Sequence, residues 1–263
     1  MPVDGPTRPT AHGDDTAFTP PAPGCGMGEH RDYDAVFWDI GGVIVELASI
    51  REGYAAFLAE LAAEHGLDPD PAVERWKRAL GEHFGAAEGT EYRTAAEGYR
   101  RATAAVFEAE GREPPPESAW RPILDRSLDA ALRTEPGAIG TVRALDEAGI
   151  YQAVISDVDT AEAMSMFDEL GIDDCFAHVT TSEAVGYKKP DRRMFETALD
   201  RAAEHGIDAG RGVMVGDRYE HDIEGASALG LDAIAYGEDA SGPVATYQLS
   251  NLRDILDIVT VRR

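Results

Sequence analysis

Three short apolar runs in this chain each end in a polar side chain, and this repeated pattern constrains the fold most. The polar residues at the ends of the runs are Asp39, Ser156 and Asp217. Short continuous apolar runs are typical of buried parallel strands. Ligands of parallel α/β sheets bind in the crevice at the carboxyl ends of the strands. The three side chains are therefore predicted to meet at one site.

Amphipathic stretches with helical spacing alternate with these runs after residue 134. The predicted strands cover about 35–39, 151–156, 176–181, 212–216 and 232–236, and predicted helices cover 191–205, 220–229 and the C-terminal end. Residues 43–47 are expected to continue the first strand in an extended form. Strands that alternate with helices favour right-handed crossovers and a parallel sheet with helices on both faces. The predicted fold is α/β, with a Rossmann-like parallel sheet.

A block of four amphipathic helices interrupts this alternation. Between residues 50 and 133 the apolar residues recur every three or four positions, and proline and glycine clusters separate the four stretches. We therefore predict a core formed by 33–49 and 134–263, with a four-helix insert at 50–133 that we call the cap.

The N-terminal residues 1–32 are rich in proline and glycine and show no periodicity, so we expect a disordered tail. No apolar run approaches the ~20 residues of a membrane span, and no signal peptide pattern is present, so a cytoplasmic location is expected. Cys25 and Cys175 lack the spacing of a disulfide framework or metal site, and Cys175 is expected to be a free thiol.

The formal net charge of −25 argues against nucleic acid and anionic membranes as partners, because both require a basic surface. The only lysines are Lys77, Lys188 and Lys189, and the other basic residues are arginines. Extreme acidity with few lysines indicates a halophilic protein, in which concentrated salt screens the self-repulsion. The chain is expected to act as a monomer or homodimer.

The polar residues at the strand ends point to phosphate and metal chemistry. Asp39 and Asp217 repel each other unless a cation joins them, and oxygen ligands beside a phosphate favour Mg²⁺. Ser156 offers a hydroxyl, and the backbone N–H groups that follow it, from Asp157 onwards, can cradle phosphate oxygens. Lys189 precedes a proline at a helix start, where its ammonium can neutralise a substrate anion.

Two segments carry a family resemblance. Val215-Gly216-Asp217-Arg218-Tyr219-Glu220-His221-Asp222 and Gly186-Tyr187-Lys188-Lys189-Pro190-Asp191, in register with Asp39 and Ser156, resemble haloacid dehalogenase-like hydrolases with a helical cap, the phosphoglycolate phosphatase and dehalogenase branch. The resemblance implies a phosphatase for a small phosphorylated metabolite.

The same resemblance implies a role for each site residue. Asp39 would be the nucleophile that forms an aspartyl-phosphate, and Asp222 would orient Lys189 or a metal-bound water. Ser156, Asp157 and Gly42 would bind the phosphoryl group, while Lys189 balances its charge. Asp39, Asp217 and the carbonyl of Gly41 would hold Mg²⁺.

Gly41 is a departure from the family pattern, in which phosphatases usually carry a second aspartate as general acid and base. That help is worth ~10²–10⁴-fold in rate. Three alternatives therefore stay open: a 2-haloacid dehalogenase, whose halide needs no proton; a carbon–phosphorus hydrolase with Lys77 as the Schiff-base lysine; and a phosphometabolite-binding protein without turnover.

The cap is predicted to recognise the substrate. The segment 81–93 contains His83, Tyr92 and Arg93, which are candidates for substrate contact or for ordinary helix packing. Lys188 is expected to have no functional role, because Lys189 occupies the position before the proline.

Overall fold

A six-stranded parallel sheet forms the centre of the computed structural model, which describes residues 32–259. The strands are β1 (Ala35–Trp38), β2 (Tyr151–Ser156), β3 (His178–Thr181), β4 (Gly212–Gly216), β5 (Asp232–Tyr236) and β6 (Tyr247–Leu249). Their order is β3-β2-β1-β4-β5-β6, and every neighbouring pair is parallel. The predicted α/β, Rossmann-like class is confirmed.

Ten α-helices lie within residues 32–259. They are α1 (Leu47–His65), α2 (Pro69–Gly85), α3 (Ala95–Glu108), α4 (Glu117–Ala131), α5 (Ala138–Glu147), α6 (Thr160–Leu170), α7 (Ser182–Val185), α8 (Arg192–Glu204), α9 (Gly225–Ser227) and α10 (Ile255–Val259). A π-helical turn, Tyr219–Glu224, leads into α9. No helix of this region is long and apolar enough to cross a bilayer.

Alternate residues of β1 face opposite sides of the sheet, and each side has its own core. Val36 and Trp38 pack with α5, α6 and α10, whereas Ala35 and Phe37 pack with α8 and α9. This period-2 alternation between two covered faces explains why the strand is apolar throughout. β1 lies inside the sheet, with β2 and β4 as its neighbours.

Helices α1 to α4 enclose a separate apolar core. Its members include Phe57, Trp76, Tyr99, Trp120 and Leu124, which are all buried. Trp76 and Tyr99 stack with ring centroids 5.8 Å apart. These are the four amphipathic stretches of the cap, although α1 begins at Leu47, ahead of residue 50. The domain boundaries at 50 and 133 stay a prediction.

One local expectation was wrong, and three details of the elements differ from the prediction. Residues 43–47 are not extended, because the N–H groups of Val43, Ile44 and Val45 turn back to the carbonyl of Ile40. The strand predicted near 176–181 is present as β3 but begins at His178, and the helix predicted at 220–229 is present as a π-helical turn followed by a short α-helix. The sequence analysis also missed β6, a three-residue edge strand too short for an alternation signal.

Two other expectations concern the tail and the cysteines. The tail at 1–32 lies outside the described residues except for Asp32. Cys25 lies in the same undescribed part, whereas Cys175 is a free, half-buried thiol.

Candidate active site

The first feature of the site is the meeting of three strand ends. Asp39 follows β1, Ser156 ends β2, and Asp217 follows β4. Because β1 pairs with both β2 and β4, with Trp38 opposite Val154 and Val215, Asp39 lies between the other two side chains. The fold thus brings together the three polar residues that the sequence singled out.

Lys189 is the centre of the buried charge network. Its Nζ lies 2.9 Å from Asp39 Oδ1 and 2.6 Å from Asp222 Oδ1, and it donates to the carbonyl of Ile155 at 2.9 Å. The side chain is fully buried. Burial alone would lower the pKa of Lys189, but the carboxylates of Asp222 and Asp39 outweigh burial and raise it. The ammonium therefore stays charged inside the protein.

The two oxygens of Asp39 have different surroundings. Oδ1 accepts hydrogen bonds from the Ile40 N–H and the Ser156 hydroxyl, both at 2.8 Å. Within the described part of the chain Oδ2 accepts no hydrogen bond, and Arg218 Nη2 lies 3.9 Å from it. Burial opposes ionisation, but Lys189 and Arg218 keep the pKa of Asp39 below its ordinary value. The result is a charged carboxylate with one oxygen fixed and one available for chemistry.

Asp39 belongs to a cluster of three carboxylates. Asp39, Asp217 and Asp222 each place an oxygen within 4.8 Å of the others. Burial, together with the charges of Asp39 and Asp222, raises the pKa of Asp217 to about 7. Asp217 Oδ1 is buried and accepts no hydrogen bond from any described residue. A hard cation with oxygen ligands suits this cluster, because it would remove the repulsion and bind the Asp217 oxygen that accepts no hydrogen bond.

The two glycines after Asp39 have different structural roles. Gly42 adopts φ 76°, and a Cβ there would overlap the carboxylate of Asp217. Gly41 does not lie in the left-handed region, and a Cβ there would meet only the flexible end of Leu47, at 3.0 Å. Gly42 is therefore required for the approach of Asp217, whereas the backbone at Gly41 tolerates a side chain.

The carboxylate of Asp157 is engaged with the protein. It accepts hydrogen bonds from the Lys189 N–H at 2.8 Å, the Ser182 hydroxyl at 2.9 Å and Arg218 Nη2 at 3.1 Å. These contacts fix the loop that carries Lys189. The side chain of Asp157 is thus an anchor, and only its backbone N–H stays a candidate for the phosphate contact that the sequence analysis predicted.

Arg218 is a site residue that the sequence analysis missed. Its guanidinium bonds to Asp157 and lies near Asp39 and Asp217, while its backbone N–H donates to Asp222 Oδ2 at 3.0 Å. Burial opposes its charge, but the carboxylates around it raise the pKa of Arg218. The available signal was its position directly after Asp217 in the most specific motif.

Two adjoining cavities open above these residues. The smaller, about 250 Å³, is lined by Asp39, Ser156 and Asp217, and the larger is about 360 Å³. They share the lining residues Ile50, Asp157, Val158, Met166 and Arg218. The larger cavity also reaches the cap, so a ligand with its reacting group at Asp39 can extend from the core to the cap.

The family follows from a match that spans most of the chain. Residues 33–230 match the model described as haloacid dehalogenase-like hydrolase. The chain belongs to this family. The resemblance carried by the two motifs is thereby confirmed.

Curated relatives match over a shorter length. The glyceraldehyde 3-phosphate phosphatase of Methanothermobacter thermautotrophicus is 39% identical over 105 residues, which are 40% of this chain and 45% of that protein. The ribulose-1,5-bisphosphate 5-phosphatase of Halopiger xanaduensis is 36% identical over 101 residues, 38% of this chain and 41% of that protein. The chain spans about half the length of the curated relatives it matches.

Solved structures share the whole architecture of this haloacid dehalogenase-like hydrolase. A HAD phosphatase from Thermococcus onnurineus has a TM-score of 0.63 at 22% identity, over 86% of this chain and 97% of that one. The L-2-haloacid dehalogenase of Xanthobacter autotrophicus has a TM-score of 0.60 at 17% identity, over 88% and 100%. At these identities the likeness is one of fold.

The hydrolase holds its cap against its core through Asp159. The carboxylate, which is buried, accepts hydrogen bonds from the Tyr92 hydroxyl at 2.7 Å and from the N–H groups of Ala95 and Ala96 at 2.9 Å. Burial and this hydrogen bond raise the pKa of Tyr92, so its hydroxyl stays a donor. A core residue therefore caps α3 of the cap.

The cap residues that are candidates for substrate contact or catalysis lie in different places. Tyr92 and Arg93 line the larger cavity, as does Lys188 from the core. His83 is buried, and its Nε2 lies 3.0 Å from the Thr94 carbonyl, so its side chain supports the segment that carries Tyr92 and Arg93. Lys77 is exposed, lies 4.0 Å from Glu74 and lines neither cavity. The surroundings of Lys77 give no support to a Schiff-base role.

Proposed function

We propose that this hydrolase is a Mg²⁺-dependent phosphatase for a small phosphorylated metabolite, acting through an aspartyl-phosphate on Asp39. The observation that carries the proposal is the asymmetry of Asp39. Oδ1 is held by Ser156 and Lys189, while Oδ2 accepts no hydrogen bond from residues 32–259, and Asp39 lines the smaller cavity. A fixed carboxylate with one available oxygen is what in-line attack on phosphorus requires.

In the first step Oδ2 of Asp39 attacks phosphorus, and the bond from phosphorus to the ester oxygen breaks. The leaving oxygen keeps the electron pair and takes a proton from water. In the second step water attacks the phosphorus of the aspartyl-phosphate, which releases inorganic phosphate and restores the carboxylate. Ser156 and the ammonium of Lys189 hold the phosphoryl oxygens, and Asp222 keeps Lys189 in place.

Asp39, Asp217 and the carbonyl of Gly41 are the residues that would hold Mg²⁺, and the buried Asp217 oxygen that accepts no hydrogen bond from the described residues supports this assignment. The cation supplies positive charge next to the phosphoryl oxygens. Gly42 and the N–H of Asp157 are proposed to contact the phosphoryl group through the backbone.

The names of the relatives favour phosphate esters over haloacids. The two relatives described above are phosphatases for phosphorylated sugars, one with a neutral organic part and one with a second phosphate. Gly41 is the observation that favours the dehalogenase alternative, because loss of halide needs no proton. The cluster of three carboxylates favours the phosphatase, because chemistry at a carbon–halogen bond has no need of a cation there.

We also infer that the protein is cytoplasmic and works in a cell with a high salt concentration. We infer further that it is a monomer or homodimer and binds neither nucleic acid nor membrane. The net charge of −25 and the identity with the Halopiger protein support this.

The test is phosphate release from p-nitrophenyl phosphate with and without Mg²⁺, in wild type and in Asp39→Asn. We expect activity only with Mg²⁺, and a loss of at least about 10³-fold in kcat in the variant, because the amide is not a nucleophile. Asp200→Asn, an exposed change on α8, is the matched control. Acid quenching should trap a phosphoenzyme in wild type. Halide release from 2-chloropropionate without phosphate release would overturn the proposal.

A further inference from the structure

Two cations without ion-pair partners line the larger cavity. Arg93, from the cap, donates one hydrogen bond to the Ala86 carbonyl at 3.0 Å. Lys188, from the core, lines the same cavity. Within residues 32–259 neither side chain lies within 4.0 Å of a carboxylate, and the ammonium of Lys188 makes no hydrogen bond. Both side chains are partly buried.

Within residues 32–259, a lysine or arginine that is both partly buried and without an ion pair occurs only in this cavity. In the described part of the chain every other lysine or arginine either forms an ion pair or is exposed to solvent. The unpaired and exposed ones are Arg51, Arg78, Arg112, Arg143, Arg201 and Arg253. Arg93 and Lys188 are therefore the only partly buried cations of residues 32–259 that lack an ion pair.

Leaving such cations unpaired has a cost. A partly desolvated charge loses hydration, and a carboxylate partner normally compensates for that loss. This chain has 49 acidic residues for 24 lysines and arginines, so partners are abundant. In so acidic a protein, a cavity with two unpaired cations has the charge pattern of an anion-binding site. The ligand would supply the negative charge that these cations lack.

The acidic residues of the same cavity do not pair with Arg93 or Lys188. Asp157 is bonded to Arg218. Glu162 forms no ion pair with either cation, and burial and the nearby Asp159 raise its pKa to about 7. Glu91 is exposed at the cavity rim.

The backbone holds the two cation-bearing segments together. The Lys188 N–H donates to the Thr90 carbonyl at 2.8 Å, and the Tyr92 N–H donates to the Gly186 carbonyl at 3.0 Å. Glu91 and Tyr187 form an antiparallel bridge between these two bonds. Arg93 and Lys188 are thus presented by two paired segments, one from the cap and one from the core, and not by independent loops.

We propose that Arg93 and Lys188 bind a second anionic group of the substrate, so that the enzyme acts on phosphomonoesters whose organic part carries a carboxylate or a second phosphate. The proposal rests on the phosphatase function proposed above. The reacting phosphate lies at Asp39 in the smaller cavity, and the second anion lies in the larger cavity toward the cap. Lys188, which the sequence analysis left without a role, becomes a specificity-determining residue.

The test compares matched substrate pairs in the full-length Mg²⁺ enzyme. 3-Phosphoglycerate and glycerol 3-phosphate differ by the carboxylate, and ribulose 1,5-bisphosphate and ribulose 5-phosphate differ by the second phosphate. We expect wild type to favour the member with the second anionic group in at least one pair by about tenfold or more in kcat/KM, mostly through KM, as a charged hydrogen bond allows. Whichever pair shows the preference identifies the anion.

The variants are Arg93→Gln and Lys188→Gln, with Arg78→Gln and Arg201→Gln as controls that remove exposed, unpaired arginines from the cap and the core. Each site variant should lose most of the preference, about tenfold, with kcat and the rate on p-nitrophenyl phosphate within about threefold of wild type. The controls should keep the preference.

Two results would overturn the inference: no preference within either pair in wild type, or an equal loss in the controls. In both cases hydrolysis of p-nitrophenyl phosphate persists, so the proposed function stands. Absence of that hydrolysis in wild type would instead remove the function on which the inference rests.

Discussion

At the residue scale, Lys189 shows how one buried charge organises a site. Its ammonium joins two carboxylates and a strand carbonyl, and those contacts connect β1, β2 and the turn after β4. Removal of one partner of such a network leaves an uncompensated buried charge, which typically costs about 3–5 kcal/mol. The same contacts that position the chemistry therefore also stabilise the fold.

Gly41 allows a direct test of the missing general acid. We expect Gly41→Asp to fold and to raise kcat/KM for alkyl phosphates by about 10–100-fold, while aryl phosphates with good leaving groups change little. The reason is that the backbone at residue 41 is not left-handed and the new Cβ meets only the flexible end of Leu47. The measurement is the slope of log(kcat/KM) against leaving-group pKa in wild type and variant.

Two controls accompany this change. Gly41→Ala adds the Cβ without the acid and should leave the slope as in wild type. Gly42→Ala should lose activity, because φ is 76° and the new Cβ enters the space of Asp217. A shallow slope in wild type would show that another residue already supplies the proton.

Glu162 makes stability depend on pH. Burial and the nearby Asp159 raise its pKa from 4.5 to about 7. Between these values the unfolded chain has released the proton that the folded protein keeps, so the contribution of Glu162 to the free energy of unfolding falls as pH rises, by about 3 kcal/mol in total, and levels off above about pH 8. Glu162→Gln should lack this part of the pH dependence, while the part due to Asp217, whose pKa is also raised to about 7, remains.

Urea unfolding at about pH 5 and about pH 8 measures the effect as the difference in pH dependence between wild type and Glu162→Gln. The exposed Glu169→Gln on the same helix is the control for removal of a charge. Parallel pH dependences in wild type and Glu162→Gln would contradict the prediction.

At the scale of elements, Asp159 of the core caps the first turn of α3 in the cap. We expect Asp159→Asn to lower the free energy of unfolding by about 1–3 kcal/mol, because the amide cannot accept from all three donors and carries no charge. Tyr92→Phe removes a single donor and should cost about 1 kcal/mol. Denaturant unfolding of both variants gives the comparison.

The control for Asp159 is Asp168→Asn, an exposed acid on α6. Hydrogen exchange of the amides at 95 and 96 should increase in Asp159→Asn and stay unchanged in the control. Equal stability of Asp159→Asn and wild type would show that the cap is held by other contacts.

At the scale of the whole molecule, the net charge of −25 predicts a dependence on salt. We expect the Tm to rise by about 5 °C or more between dilute buffer and about 1 M KCl, where the Debye length is ~3 Å and self-repulsion is screened. Thermal unfolding with equimolar sucrose is the control for effects other than screening. A flat Tm, or the same rise in sucrose, would remove the halophilic interpretation.

The sequence by itself determined the α/β class, the parallel sheet and the site at its carboxyl edge. Hydrophobic periodicity reports which face of an element is buried, and strand ends such as Asp39, Ser156 and Asp217 meet wherever parallel strands are neighbours. The four helices of the insert followed from the same periodicity. These features are local, or follow from local patterns by general rules of chain topology.

Only the tertiary structure decided which side chains meet across distant elements. Asp157 became an anchor, Arg218 entered the charge network, and Lys188 and Arg93 came to line one cavity. The backbone angles of the two glycines and the π-helical turn were also undecided, because they depend on how Asp217 and Asp222 pack against residues 42 and 216. Contacts between residues far apart in sequence leave no periodic signal, so only the packed chain reveals them.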